Sequence, residues 1–337
     1  MPIANAERRE SAPPAMRRPQ ADAAARRAAG RPSISIFTTA KPFVGHSATI
    51  QHNALRSWSM LSPRPEILLV GEEEGYDGAA LLAGAGRFEQ LQRNELGTPL
   101  LSHLFEVGHA RTAGEVLVFA NADLILPPEL PQAVAAAARR FTKFLLVGRR
   151  VDLDVRDAID FTPGWWERLS EEADLHGVLR GDLCIDYLVF SRELFGSVPP
   201  FAIGRTRYDN WLVWRAAQEG AEVIDCSRFL RVIHQAHDYG HVGGARRAWE
   251  GPEAKQADQL LGHWSHYESI AHARYAFDEH GEIRPARGWR YSMARPRRAV
   301  SHALRFTRPL RRRVADLRAR KKFDGVPVEQ ARPSTGT

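Results

Sequence analysis

The strongest constraint on this chain is a repeated one. Four short runs read as strands: "SISIFT" from Ser33, which alternates, and "EILLV" from Glu66, "EVLVFA" from Glu115 and "FLLV" from Phe144, which are apolar at nearly every position. A strand that is apolar on both faces has to be covered on both faces. Strands of this kind, alternating with helices, predict a parallel sheet between two helical layers. The intervening helices are legible from their spacing. In "HSATIQHNALRSWSML" the residues Ile50, Ala54, Leu55, Trp58 and Leu61 share one face, with Ser47 as the expected cap. A short Leu/Ala-rich helix near 77–84 and a weak strand near 88–92 come next. "TPLLSHLFEVGHARTAG" reads as a helix capped by Thr98, with Pro99 in its first turn and Gly114 ending it. "PPELPQAVAAAARRF" is the helix before the fourth run. No G-x-G-x-x-G follows the first run and no G-x-x-x-x-G-K-[ST] occurs, which argues against a dinucleotide fold and a P-loop.

Beyond residue 150 the pattern loosens. "TPGWWERLSEEAD" and "TRYDNWLVWRAAQEG" have helical spacing, "LCIDYLVF", "AEVIDCS" and "FLRVIHQ" read as strands, and 252–277 reads as helical. Charge is distributed unevenly along the chain. Of a net +7, residues 1–32 hold seven Arg against three acids, and residues 288–322 hold thirteen Lys and Arg against Asp316 alone. The intervening body is therefore acidic and offers no basic face to nucleic acid. The expected division is a disordered basic leader at 1–32, one domain at 33–277 and a basic helical tail at 278–337. Two cysteines, Cys184 and Cys226, form no C-x-x-C and no disulfide framework, which fits a reducing cytoplasm. No apolar stretch approaches the roughly 18 residues of a membrane span, and the N-terminus lacks a secretory apolar segment.

In an open α/β sheet, ligands bind beyond the carboxyl ends of the strands. That rule selects Thr38 and Thr39 after the first run, Glu72 and Glu73 after the second, Arg111 in the helix before the third, and Asn121 and Asp123 in "FANADLIL". A carboxylate at a strand end suits a hard divalent cation that keeps open positions for substrate phosphates. The same Asx residues also serve to cap a helix or make a turn. Further along, "GRTRYDNW" places Asp209 in the first turn of a helix, whose N-terminus favours its ionised form. "RVIHQAHDYGH" packs His234, His237, Asp238 and His241 together. His234 and His237 are three apart, a spacing that a strand would not aim one way, so the cluster reads as a loop.

The order of these pieces resembles the nucleotide-sugar glycosyltransferases of the GT-A fold, in particular their family-2-like branch. The resemblance runs from about Ser33 to Tyr239, with "FANAD" in the place of the family's D-x-D element and Asn at its first position. It implies an α/β fold, Rossmann-like, with a mostly parallel central sheet flanked by helices, divided into a nucleotide-binding half (33–150) and an acceptor half (151–277). It implies a nucleoside-diphosphate sugar as donor, a divalent cation (Mn2+ or Mg2+) and an inverting transfer. Thr38, Thr39, Glu72, Glu73, Arg111, Asn121 and Asp123 would line the donor. Asp123, His237 and His234 would hold the metal, with Asp123 as the direct ligand and Asn121 nearer the ribose. Asp209 would be the base that deprotonates the acceptor, and Asp186 would face the acceptor. Separately from the resemblance, Trp166, which follows the Pro-Gly of "TPGWW", is a candidate for stacking on an acceptor sugar.

The acceptor class is left open by sequence: a glycan, a lipid-linked molecule or a small molecule. The basic C-terminal segment is compatible with peripheral contact at an anionic inner-membrane surface or with a solvated tail. Two rival readings stand beside the transferase. One is a metal-dependent hydrolase built on the His/Asp cluster. The other is a nucleotide-sugar-binding protein without turnover, which Asn121 makes conceivable.

Overall fold

The computed structural model describes residues 31–236 and 250–294. The first half follows the alternation: β1 (Ile34–Thr38), α1 (Gly45–Ser59), β2 (Glu66–Val70), α2 (Tyr76–Ala83), β3 (Gly86–Phe88), α3 (Leu101–Arg111), β4 (Val116–Ala120), β5 (Leu124–Ile125), α4 (Leu130–Arg140) and β6 (Phe144–Val147). After it come β7 (Arg150–Leu153), α5 (Trp165–His176), β8 (Val178–Leu179), β9 (Tyr187–Ser191), α6 (Tyr208–Gln218), β10 (Glu222–Asp225) and β11 (Val232–Gln235). The described residues finish with α7 (Pro252–Leu261), β12 (Tyr275–Phe277), β13 (Ile283–Pro285) and α8 (Trp289–Ala294).

Nine strands form the central sheet in the order β13-β12-β10-β6-β9-β4-β1-β2-β3. Strands β4, β1, β2 and β3 run parallel, as do β6, β10 and β12. The expected architecture, a mostly parallel sheet flanked by helices, is present. Two of its features lie outside the sequence reading. β9 runs antiparallel between β4 and β6, and β13 returns antiparallel to β12. A run such as "YLVFS", buried at all five positions, reads the same in either direction, so periodicity carries no orientation. The second feature is a separate four-stranded sheet, β5-β11-β7-β8. Its strands are two to four residues long, and β5 is two residues inside what reads as a loop.

Alternate residues of each central strand feed opposite layers, as a strand's period of two requires. Ile36, Val118 and Val189 pack with Trp58 of α1 on one face. Phe37, Phe119 and Phe190 pack with Phe105 of α3 on the other. Gly108 is what lets α3 lie so close, because a Cβ there would fall 2.7 Å from the Phe37 ring.

Three local expectations change. α3 begins at Leu101, preceded by Leu100 in extended backbone, rather than at the Thr98–Pro99 cap. Pro99 O instead accepts from Ile203 N at 2.9 Å, and the Thr98 hydroxyl accepts from Arg205, so this stretch joins a neighbouring loop. α1 begins at Gly45, with Val44 in the cap position and no side-chain cap from Ser47. Residues 252–277 form α7, two short 3-10 turns and β12 rather than a continuous helix. The boundary expected at 277 falls inside the β12–β13 hairpin, so the central sheet continues past it. Among the described residues no helix is long and apolar enough to cross a membrane. The leader at 1–30 and the tail beyond 294 lie outside the described residues.

Candidate active site

The carboxyl ends of β1 and β4 are joined by a buried bond. The Thr38 hydroxyl donates to Ala120 O at 2.7 Å, and Thr38 is fully buried. Thr38 therefore ties two strand ends together, while Thr39 beyond it stays half-buried near the Tyr76 hydroxyl at 3.3 Å. The backbone of this loop is fixed from two sides. The Tyr76 hydroxyl donates to Ala40 O and accepts from Ala40 N, both at 2.7 Å. Gln51 of α1 brackets Lys41, its Oε1 accepting from Lys41 N at 2.7 Å and its Nε2 donating to Lys41 O at 3.0 Å. Glu72 is exposed, and Glu73 is ion-paired with Arg93. Arg111 ends α3 with its guanidinium 4.7 Å over the Phe88 ring of edge strand β3. These three acidic and basic residues belong to the β2–β3 edge rather than to the corner formed after β4.

That corner gathers residues from five elements. Asn121, just past β4, donates from its backbone N to Asp186 O and from Nδ2 to Asp186 Oδ1, both at 3.1 Å. Asp123 leads into β5. The register of the small sheet sets Leu124 opposite His234 and His234 opposite Asp152. As a result, His234 Nε2 lies 3.7 Å from Asp123 Oδ2, and its Nδ1 lies 3.2 Å from Asp152 Oδ1. Arg150, at the start of β7, spans Asp152 at 2.8 Å and Asp186. Burial works against the Asp152 charge, but His234, Arg150 and Arg180 outweigh it and hold the carboxyl well below its usual range. Burial likewise opposes the Arg150 charge, and Asp186 and Asp152 overcome it and strengthen it. His234 lies on β11, not in a loop, because its strand is held between β5 and β7. His237, Asp238 and His241 lie outside the described residues.

Asp209 occupies the first turn of α6, as its sequence context implies. Its electrostatics differ from the expectation. Desolvation and then the neighbouring Asp186 push its carboxyl up to about 7, against the pull of backbone amides and Arg207. Burial and like charge thus outweigh the helix N-terminus. The fully buried side of Tyr208 feels Asp209, Asp186 and Asp123 together, and its hydroxyl is raised after burial by all three. Asp123, Asp186 and Asp209 thus all lie near enough to Tyr208 for their charge to reach its hydroxyl. Trp166 does not join them. It packs edge-on against Trp165 at 5.6 Å, on the small core formed with Ile125, Leu153 and Ile233.

Sequence reasoning missed the support beneath Asp123. Gln235, fully buried, donates from both its backbone N and its Nε2 to Asp123 O at 3.2 Å. Its Nε2 also reaches Ile50 O at 2.7 Å, and its Oε1 accepts from Asn53 Nδ2 at 2.9 Å. Asn53 Oδ1 accepts from Ile159 N at 2.9 Å. A polar residue ending "RVIHQ" and another on the buried face of a helix were the available signals. Their meaning needs both partners in view.

Among the described residues no group of three or more His, Cys, Asp or Glu is arranged to hold a metal ion. Two of the expected ligands, Asp123 and His234, do face each other. Their donors are 3.7 Å apart, wider than the ~3 Å between neighbouring ligands of an octahedral cation at about 2.1 Å each.

No protein-family model matches the chain, and no curated protein matches it. Among solved structures it is similar to glucosyl-3-phosphoglycerate synthase from Mycobacterium tuberculosis, in complex with Mg2+ and uridine diphosphate. That match has 18% identity and a TM-score of 0.42, over 72% of this chain and 83% of that one. It is also similar to a mycobacterial protein at 17% identity and a TM-score of 0.44, covering 72% and 78%. A third similarity is to GalNAc-T7 with UDP, GalNAc and Mn2+, at 16% identity and a TM-score of 0.45, covering 69% and 48%. At such identities the chemistry has to come from this chain's own residues.

Proposed function

We propose that the chain is a glycosyltransferase that moves a sugar, of the hexosyl type, from a nucleoside-diphosphate sugar to an acceptor hydroxyl, with inversion and with a divalent cation. What supports the reading is that the charges of Asp123, Asp186 and Asp209 all reach Tyr208, with burial and Asp186 pushing the Asp209 carboxyl up to about 7. A general base works best when its pKa lies close to the working pH. Asp209 at about 7 fits that requirement, and it would take the proton of the attacking hydroxyl.

The loop after β1, held by Tyr76 and Gln51, would present fixed backbone to the base and ribose, with Thr39 beside it. Asp123 and His234 would hold the cation, which when bound supplies positive charge to the departing diphosphate. Asn121 keeps the end of β4 against Asp186. Arg150 balances Asp152 and Asp186, so the corner is not left with three uncompensated carboxylates. A cytoplasmic site of action belongs to the same reading, with the basic sequence after Ala294 drawing the protein to an anionic membrane surface.

The test is a thermal-shift screen of the full chain with UDP-, GDP-, dTDP- and CMP-sugars, each with and without Mn2+. One nucleotide sugar should raise Tm in a Mn2+-dependent way. At about a hundredfold excess over Kd the stabilisation is ~2.7 kcal/mol, or roughly 5–10 °C. Asp123→Ala should abolish the shift and lower transfer by about 10^2–10^3-fold. An Asp123→Ala protein with unchanged turnover would sink the assignment. Zinc-dependent hydrolysis that is indifferent to nucleotide sugars would favour the hydrolase instead.

A further inference from the structure

Beside Asp209 lies a group of side chains that the reaction above leaves unused. Arg207, which enters α6, has φ 90° and ψ −36°. No other described non-glycine residue has a positive φ. Such a conformation is unfavourable for a residue with a Cβ, and it persists where surrounding contacts impose it, often at ligand sites. The contacts here are visible. Arg207 Nε donates to Asp258 of α7 at 2.8 Å. The guanidinium carbon lies 5.0 Å over the Trp264 ring and 5.7 Å from the Tyr267 ring. Trp264 and Tyr267 meet edge to face at 5.7 Å. Asn210, next to Asp209, ties this group to α6: its Nδ2 donates to Glu268 O at 2.8 Å and its carbonyl accepts from Glu268 N at 3.3 Å. Arg207 draws the Asp209 pKa down, and Asp209, after burial, raises the Tyr267 hydroxyl. Tyr267 is half-buried, whereas Trp264 remains 41% exposed.

Resting on the transferase reading, we propose that Trp264, braced by Arg207 and Tyr267, is the platform on which a neutral sugar ring of the acceptor stacks beside Asp209. An indole offers a large, rigid apolar face with a negative π surface, which suits the C–H face of a pyranose. Arg207 covers part of the ring by cation–π contact and holds its plane fixed. Among the described residues, four arginines near this group are paired. Arg150 pairs with Asp186, Arg205 with Glu253, Arg207 with Asp258 and Arg290 with Asp225. An acidic acceptor would have to displace one of these carboxylates, whereas a neutral glycoside needs only the aromatic face and a hydroxyl directed at Asp209. A saccharide is therefore the acceptor class that this wall fits.

Saturation-transfer NMR on the full chain tests this, with methyl β-glucopyranoside, methyl β-galactopyranoside, methyl α-mannopyranoside and, as the anionic control, D-glycerate. At least one glycoside should be saturated on one ring face, and glycerate should not. The signal should fall at least tenfold in Trp264→Ala and Trp264→Gln and survive within about threefold in Trp264→Phe, which keeps an aromatic face. Two non-aromatic variants are used so that one failing to fold does not end the test. No glycoside signal in the wild-type protein, an undiminished signal in both non-aromatic variants, or preference for glycerate each overturns the platform. The UDP/Mn2+ thermal shift, measured on the same proteins, separates the two ideas. A nucleotide shift without glycoside contact sinks the platform and leaves the transferase reading. Trp264-dependent glycoside contact without any nucleotide or nucleotide-sugar shift does the reverse.

Discussion

Two walls of the same corner treat a carboxylate in opposite ways. On the β7–β11 wall, Asp152 is held by His234, Arg150 and Arg180, and its charge is locked far below neutrality. At the entrance of α6, Asp209 is desolvated and faces Asp186, and it titrates at about 7. Both are aspartates with the same intrinsic acidity. Their difference lies in which neighbours folding brings to each. Environments that push two acids apart mark a division of labour between fixed charge and proton transfer.

That contrast can be broken at Asp209 with the largest effect. Asp209→Asn should lower transfer by about 10^2–10^4-fold, the usual weight of general-base catalysis. Wild-type transfer should rise with pH and level off above about 7, a limb that the variant lacks. Stability should move the other way. Because the folded-state pKa is raised, the favourable contribution of the protonated acid is complete below about 4 and is lost as pH rises through about 7. Asp209→Asn should therefore be more stable than wild type at pH 8, by up to a few kcal/mol at about 1.4 kcal/mol per pKa unit. Equal Tm differences at pH 5 and pH 8 would contradict the assignment.

Asp152 gives the converse result. Asp152→Asn removes one partner of a buried charge cluster and should cost about 3–5 kcal/mol at neutral pH. Since the folded-state pKa is depressed, this stabilisation is present above about 4 and lost as pH falls below it. Denaturant titrations at pH 7 and pH 3 should show the gap closing. A smaller effect is expected at Gln235, beneath the same wall. Gln235→Leu removes the side-chain bonds to Asn53 Nδ2, Ile50 O and Asp123 O, leaving only the backbone bond to Asp123 O, and should cost about 1–3 kcal/mol. Because it also loosens the support of Asp123, the variant should require more Mn2+ for half-maximal activity. A stability loss without a change in Mn2+ requirement would separate Gln235 from the metal corner.

The sequence made much of the first half legible. Fully apolar strands such as "EVLVFA", punctuated by amphipathic helices, admit few arrangements, and the position of Asp123 just past a strand end follows from them. Asp209 in a first helical turn was likewise readable, since α6 has a clear apolar face. The direction of β9 and the pairing of β5 with β11 were not readable, because buried runs and two-residue strands carry no orientation signal. Thr38 and Asp186 were chosen by position along the chain. Folding places the Thr38 hydroxyl on Ala120 and sets Asp186 between Asn121 and Arg150.

By itself, then, the sequence determined the covered α/β sheet and the chemical types waiting at its edge. Hydrophobic period and strand length are local properties, and burial of both strand faces leaves few alternatives. Only the tertiary structure decided what those acids do. A pKa depends on desolvation and on charges within a few ångströms, and for Asp209 these come from Asp186, 23 positions earlier in the chain, and from the burial around it. The aromatic wall of Trp264 and Tyr267 arises the same way, from residues more than 50 positions after Arg207 brought under one guanidinium.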